Sequence, residues 1–321
     1  MEFEIILGLL AIALGALGAF LVGIFGWRLG LIDQPSARSS HSRETPKGGG
    51  IGMAAAFLVS AACLRAPIAF WLPLGVLAGL SLRADIVEIS PKLRLLTQFF
   101  LIGILIIGTC EGFYQDIPRI LIALFWIVFI VGTANFYNFM DGIDGIAGIS
   151  GVVGFGLMAF ETYKDQPEVG LLATCMALAC LGFLPFNLPR ARVFMGDVGS
   201  ILLGSVFAGL VYLASRTLLD FLCMTSFLFP FYADELTTMI VRLRSGEDLT
   251  RPHRRHIYQL LANERRIAHW KISCGYGLFQ LLVGASVLLC KPLGVMVVLM
   301  VLAGWFGLFI LGSYYIRRKK F

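Results

Sequence analysis

Charge is scarce in this sequence. Only 14% of its 321 residues are Asp, Glu, Lys or Arg, against about 25% in a soluble domain. No polar stretch is long enough to make a separate soluble domain. Seven cysteines are present (Cys63, Cys110, Cys175, Cys180, Cys223, Cys274 and Cys290), none in a CxxC pair and all in or beside apolar runs. That argues against a zinc site and offers no disulfide framework, so packing is their expected role. The first apolar run, Ile5 to Trp27, follows Glu2 and Glu4 with no basic segment before it. A retained helix is therefore expected there, and not a cleaved signal peptide. The pI is near 9.0, but no nucleic-acid motif accompanies it, so nucleic acid is not an expected partner.

Apolar residues are abundant: 58% of the chain, with a mean hydropathy of +0.84. Apolar runs of roughly 20 residues recur along the whole length, the pattern of helices that cross a bilayer. The fold class expected is all-α, a polytopic membrane protein forming one integral domain over 1–321. Eleven spans are predicted, at 4–27, 50–64, 67–82, 95–110, 118–137, 146–163, 169–186, 198–215, 219–241, 271–290 and 293–315. If the N-terminus lies outside, the outer loops hold only Arg65, Arg119, Lys164, Arg216 and Lys291, and every other Lys and Arg is inside. The excess of inner basic residues favours that orientation, with a cytoplasmic C-terminus. The basic tail Arg317–Lys320 reads as an anchor beside anionic lipid.

The densest chemistry lies in NFYNFMDGIDGIAG, Asn135 to Gly148, which follows the uncharged run Ile120 to Val131. Asn135, Asn138, Asp141 and Asp144 recur every three residues, a spacing that puts them near one face of a helix. Gly142, Gly145 and Gly148 leave room beside that face for a backbone or a phosphate. Carboxylates at membrane depth are costly and usually functional. A solvated helix end followed by a turn is the plainer alternative.

Four other inner segments carry chemistry. Leu31 to Gly50 contains Arg38, Ser39, Ser40, His41, Thr45, Lys47 and three successive glycines. Those side chains, with glycine N–H groups opening the next helix, would suit a phosphate or diphosphate; a flexible basic loop is the alternative. Asp85 sits at a helix mouth, before a Ser90–Pro91 helix start. Arg190 and Arg192 precede Gly196, Asp197, Gly199 and Ser200 at another helix start, where Asp197 is either an N-cap or part of a site. Asp234 and Glu235 lie in an apolar helix kinked at Pro230 and need a partner, for which Arg242 or Arg244 could serve. Last come Arg251, His253, Arg254, Arg255 and His256, five cationic or potentially cationic groups. Arginines there would give bidentate contacts to polyphosphate, while a metal site on the two histidines or a solvated basic loop stay open. Acids beside basic groups on one side of a membrane suit a divalent cation bridging phosphates, hence phosphoryl transfer.

These motifs carry a resemblance. RSSH…TPKGGG (38–50), ISPKLRLL (89–96), NFMDGIDG (138–145), ARVFMGDVGS (191–200) and PHRRHIYQ (252–259) stand in the order found in the polyprenyl-phosphate N-acetylhexosamine-1-phosphate transferase superfamily. The chain resembles that superfamily over almost its whole length. The resemblance implies transfer of a sugar 1-phosphate from a UDP-sugar, UDP-N-acetylhexosamine, to undecaprenyl phosphate, with release of UMP. It also implies Mg2+, with Mn2+ as a substitute, a bacterial inner membrane location, a cytoplasmic active site and a homodimer. The last motif is similar to the branch that starts O-antigen, common antigen or teichoic acid linkage units, because the consecutive histidines of the peptidoglycan branch are missing.

Carried over residue by residue, the resemblance makes Asp197 and Asn138 metal ligands. It puts Asp85, Asp141, Asp144 and Asp197 in catalysis, with Asp85 the acid that would deprotonate the lipid phosphate. Lys47, Asn135, Asn138, Asn187, Arg192, Arg251, His253, Arg254, Arg255 and His256 would bind substrate. One departure stands out. The family's Gly-x-x-Asp-Asp reads Ser81-Leu-Arg-Ala-Asp85 here, with Ala84 at the first acid. A relative that binds without turnover is therefore one alternative. A transporter is another, although no inverted repeat of broken helices is evident.

Overall fold

Glu2–Leu29 contains no proline and no charge between its first and last turns, and it forms one long helix, α1. Glu2 and Glu4 in its first turn and Arg28 in its last complement the helix dipole. The computed structural model describes residues 2–35, 40–87, 89–110, 117–248 and 253–318. After α1 come α2 (Ile51–Cys63), α3 (Ile68–Ile86), α4 (Pro91–Thr109), α5 (Ile117–Met140), α6 (Ile146–Thr162), α7 (Pro167–Asn187) and α8 (Gly196–Ala214). Then follow α9 (Leu218–Thr225), a 3₁₀ turn, α10 (Phe229–Arg244), the short turn α11 (Ile257–Gln259), α12 (His269–Cys290) and α13 (Val295–Arg318). The only strands among the described residues are Ile32–Asp33 and Thr45–Pro46, paired antiparallel.

Among the described residues, eight of these helices are long and apolar enough to cross a bilayer, and α2 and α6 are shorter apolar helices. The chain is an all-α, multi-pass membrane protein. The predicted span 219–241 is not one helix. It divides into α9, the 3₁₀ turn Ser226–Leu228 and α10, with Pro230 in the first turn of α10, where a missing N–H costs nothing. The Asn/Asp face also departs from expectation. α5 ends at Met140, so Asp141 and Asp144 lie in the turn to α6 and not on the helix. Gly145, at φ +84°, turns the chain there.

α8 is the buried axis, with Leu203, Val206, Phe207 and Leu210 fully enclosed by its neighbours. Small residues let helices approach at its start. A Cβ on Gly50 would strike Gly199, so the first turns of α2 and α8 touch through their backbones. At the edge, α13 buries only Val298 and Ser313. The ends of α1, α3, α5, α7 and α13 and the starts of α2, α4, α6, α8 and α12 meet at one end of the bundle. At the other end, Lys291 bonds Glu161 at 2.5 Å and Asp220 at 2.9 Å, tying α6, α9 and the α12–α13 turn together.

Candidate active site

A cavity of about 890 Å3 opens at the end where those helices meet. It is lined by Asp85, Asp141, Asp144, Asp197, Asn138, Asn187 and Lys47 of the predicted residues. Ser40 and His41, expected phosphate donors of the 31–50 segment, also line it, as do Asp33, Arg94 and His269, to which the sequence assigns no site role. Four segments far apart in sequence thus bring five carboxylates to one cavity.

Asp197 stands in the first turn of α8 with both oxygens engaged. Arg94, from the first turn of α4, pairs with Oδ2 at 2.7 Å. Asn138, near the end of α5, donates to Oδ1 at 2.8 Å and to Ser200 Oγ at 2.8 Å. Asp85 ends α3, and its Oδ1 and Oδ2 accept the N–H groups of Asp197 at 3.1 Å and Val198 at 3.2 Å. Asp85 is thus a cap borrowed from another helix, satisfying donors that α8 cannot satisfy itself. Gly196 makes the approach possible, with φ +75° and no Cβ to meet the Asp85 carboxylate. Asp144 faces His269 Nδ1 at 3.2 Å, and its carbonyl accepts Ser273 Oγ at 2.8 Å. Asp33 faces His41 Nε2 at 3.4 Å.

Among the described residues, the Asp141 side chain has no hydrogen-bond or ion-pair partner. Burial, then the charges of Asp197, Asp85, Asp144 and Asp33, push its carboxyl up to about 7. Hard oxygen donors crowded this closely suit a divalent cation. No group of three His, Cys, Asp or Glu side chains lies close enough to hold one alone among the described residues. An ion held here would take one or two protein carboxylates and complete its shell with phosphate and water.

Several expected contacts go elsewhere. Asn135 donates to Gln98 Oε1 at 2.6 Å and the Val131 carbonyl at 2.8 Å, away from the cavity. Asn187 lines the cavity but spends its amide on backbone, accepting Gly145 N at 2.7 Å and donating to the Val193 carbonyl at 2.9 Å. Arg192 lies outside the cavity, exposed over the Phe186 ring and bonded to the Pro185 carbonyl at 2.8 Å. Two of the three glycines in the 48–50 run do not present open N–H groups. Gly49 and Gly50 donate to the carbonyls of Phe194 and Met195. The space beside Gly142, Gly145 and Gly148 is filled by Tyr258, Leu188 and Leu184. These glycines admit protein side chains, and Gly142 also lines the cavity.

The histidine segment forms a second cluster against the first. His256 is buried, with Nε2 3.4 Å from Glu235 and Nδ1 3.7 Å from Asp234, so His256 is a partner of both acids. Asp234 also accepts Ile257 N at 2.9 Å, Tyr258 N at 3.4 Å and Tyr276 Oη at 2.7 Å. Arg242 and Arg255 pair with Glu247. His253 packs on His256 with ring centroids 4.8 Å apart. Burial and then the positive neighbours His256, Arg242 and Arg255 push His253 down to about 4. Arg254 is half-buried beside them. Arg251, like Arg38, Ser39, Lys319 and Lys320, lies outside the described residues. Arg94 could have been found from the ISPKLRLL motif, four residues after the Ser90 cap; His269 gives no sequence signal beyond preceding an apolar helix.

Comparison with known proteins bears on this geometry. The model for "Glycosyl transferase family 4" matches residues 67–215, from α3 through α8, the stretch that supplies Asp85, Asn138, Asp141, Asp144 and Asp197. The phospho-N-acetylmuramoyl-pentapeptide-transferase of Synechococcus sp. is 33% identical over 245 residues, covering 65% of this chain and 68% of that protein. The undecaprenyl-phosphate alpha-N-acetylglucosaminyl 1-phosphate transferase of Thermotoga maritima is 28% identical over 256 residues, 78% of each chain. A phospho-N-acetylmuramoyl-pentapeptide-transferase of Staphylococcus epidermidis is 40% identical over 105 residues, and the match spans only 33% of its length. With the acids of the matched stretch gathered in one cavity and two thirds of a relative aligned, the chain belongs to glycosyl transferase family 4.

Proposed function

We propose that the chain transfers N-acetylhexosamine 1-phosphate, GlcNAc-1-phosphate first among them, from a UDP-sugar to undecaprenyl phosphate. The observation that carries this reading is the cavity itself: Asp85, Asp141, Asp144 and Asp197 facing Lys47 and Arg94 at one end of a membrane bundle. A phosphate oxygen of the lipid attacks the phosphorus bonded to the sugar. The bridging P–O bond to the nucleotide breaks, and UMP leaves with the bridging oxygen. Holding both phosphates in one cavity makes direct attack sufficient, with no covalent enzyme intermediate. Lys47 is fixed by its own backbone, with its N–H bonded to the Leu31 carbonyl at 2.9 Å, and its ammonium meets the diphosphate. Asp197 and Asn138 would hold Mg2+ (or Mn2+), which spreads the charge that builds on the diphosphate.

The reading sets the cavity at the cytoplasmic face of a bacterial inner membrane, with the N-terminus outside, and includes a homodimer. A second donor, one that carries phospho-N-acetylmuramoyl-pentapeptide, is favoured by the 33% identity to the Synechococcus sp. protein. The test is UMP release by purified protein with undecaprenyl phosphate, Mg2+ and either donor, beside Asp197→Asn. Turnover that needs all components and vanishes in the variant supports the transferase. Absence of UMP with every UDP-sugar tried rejects it in favour of a transporter or a silent relative.

A further inference from the structure

Arg94 has no role in the reading above beyond adding charge, yet it makes the shortest ion pair to a cavity acid. Its Nη2 lies 2.7 Å from Asp197 Oδ2, and Asn138 holds the other oxygen. Arg94 is a third exposed and lines the cavity with Lys47. Its backbone is fixed, since Ser90 caps α4 and Arg94 N bonds the Ser90 carbonyl at 3.1 Å. Its side chain is long and pivots about that fixed start. A guanidinium on Asp197 and a divalent cation on the same carboxylate compete for the same oxygens.

We propose that Arg94 is an exchangeable counter-ion: it neutralises Asp197 in the empty cavity and turns to a substrate phosphate when a divalent cation takes Asp197. The inference rests on the assignment of Asp197 as a cation ligand. The chemistry suits the exchange. A planar guanidinium matches a carboxylate and a phosphate equally well, so the side chain trades one oxyanion partner for another and is never left unpaired. Cation and phosphate then help each other bind, because each frees the partner the other needs, and the coupling is reciprocal. The phosphate in question is either that of the lipid acceptor or the diphosphate of the nucleotide donor.

The experiment measures Mn2+ affinity of the full-length protein in detergent by electron paramagnetic resonance. It is run alone, with a short-chain prenyl phosphate, and with UDP-GlcNAc. Wild type, Arg94→Gln, Arg94→Lys and Asp197→Asn are compared after thermal unfolding confirms that each is folded. In Arg94→Gln, Mn2+ alone is expected to bind about tenfold more tightly, equivalent to about 1.4 kcal/mol. A field effect of the lost charge would do that too, so the decisive quantity is coupling. The gain in Mn2+ affinity caused by phosphate ligand shrinks in Arg94→Gln and is partly restored in Arg94→Lys. Loss of coupling with prenyl phosphate alone assigns Arg94 to the acceptor; loss with UDP-GlcNAc alone assigns it to the donor. Coupling unchanged with both ligands overturns the exchange while leaving Asp197 as a ligand. Mn2+ binding unaffected by Asp197→Asn overturns the ligand assignment, and the exchange with it.

Discussion

The Tyr258 hydroxyl donates to the Phe139 carbonyl at 2.8 Å, and its ring fills the space that Gly142 leaves open. One side chain thus joins the histidine segment to the turn that carries Asp141 and Asp144. Tyr258→Phe removes one buried hydrogen bond and leaves the Phe139 carbonyl without that donor, a loss of about 1 kcal/mol in stability. The expected result is a lower unfolding temperature in detergent and slower UMP release. A variant equal to wild type in both would show that the turn is held without Tyr258.

Asp234 should matter more. It is fully buried and accepts from Ile257 N, Tyr258 N and Tyr276 Oη. Asp234→Ala strands these donors and removes a partner of His256, and a buried broken network of this kind typically costs about 3 kcal/mol or more. Tyr276→Phe removes one of the bonds and should cost clearly less. Denaturation of the two variants side by side checks the order, and equal losses would contradict it.

Asp141 and His253, both outside the helices, give opposite pH slopes. Asp141 holds its proton up to about 7 in the folded protein but only to about 4 when unfolded. Between those values the folded state binds more protons, so this group makes stability fall as pH rises. Asp141→Asn should flatten that slope. His253 is the reverse: its folded value of about 4 lies below the unfolded value of about 6.5. It therefore costs stability as pH falls from 6.5 towards 4, and His253→Gln should remove that loss. Unfolding temperatures of the three proteins across pH 4 to 8 test both signs.

The same crowding predicts how a cation acts. Mg2+ should raise the unfolding temperature more at pH 8, where Asp141 is ionised, than at pH 5.5. Asp197→Asn should remove most of the effect. A shift of equal size at both pH values would separate cation binding from this cluster.

Ala84 lines the cavity beside Asp85. Asp85 is occupied in capping α8, so an acid at position 84 would be the free one of the pair. Ala84→Asp is expected to raise UMP release, since general acid–base help is worth about 10²–10⁴ in rate. Unchanged or slower release would show that this cavity works without it.

Much of this was legible because apolar length and motif chemistry are local. The runs that became α1, α7 and α8 could be read directly, and so could the acids that meet in the cavity. What could not be read depends on neighbours distant in the chain. Asn135 fits the three-residue repeat, yet it bonds Gln98 of α4, a neighbour set by helix packing and not by the repeat. The glycines of 142–148 look the same in sequence whether a phosphate or Tyr258 fills the gap. His256 carries no mark of the two carboxylates that enclose it, since Asp234 and Glu235 lie some twenty residues earlier, on α10.

The borrowed cap on α8 divides labour between two adjacent positions. Asp85 is committed to holding a helix start, so its carboxylate answers to the fold whatever reaction the cavity runs. Position 84 has no such duty and answers only to chemistry. Under random substitution the two should therefore drift differently. Residue 85 would stay frozen even in descendants that had lost the activity, while residue 84 would be the first place where a lineage changes or abandons it.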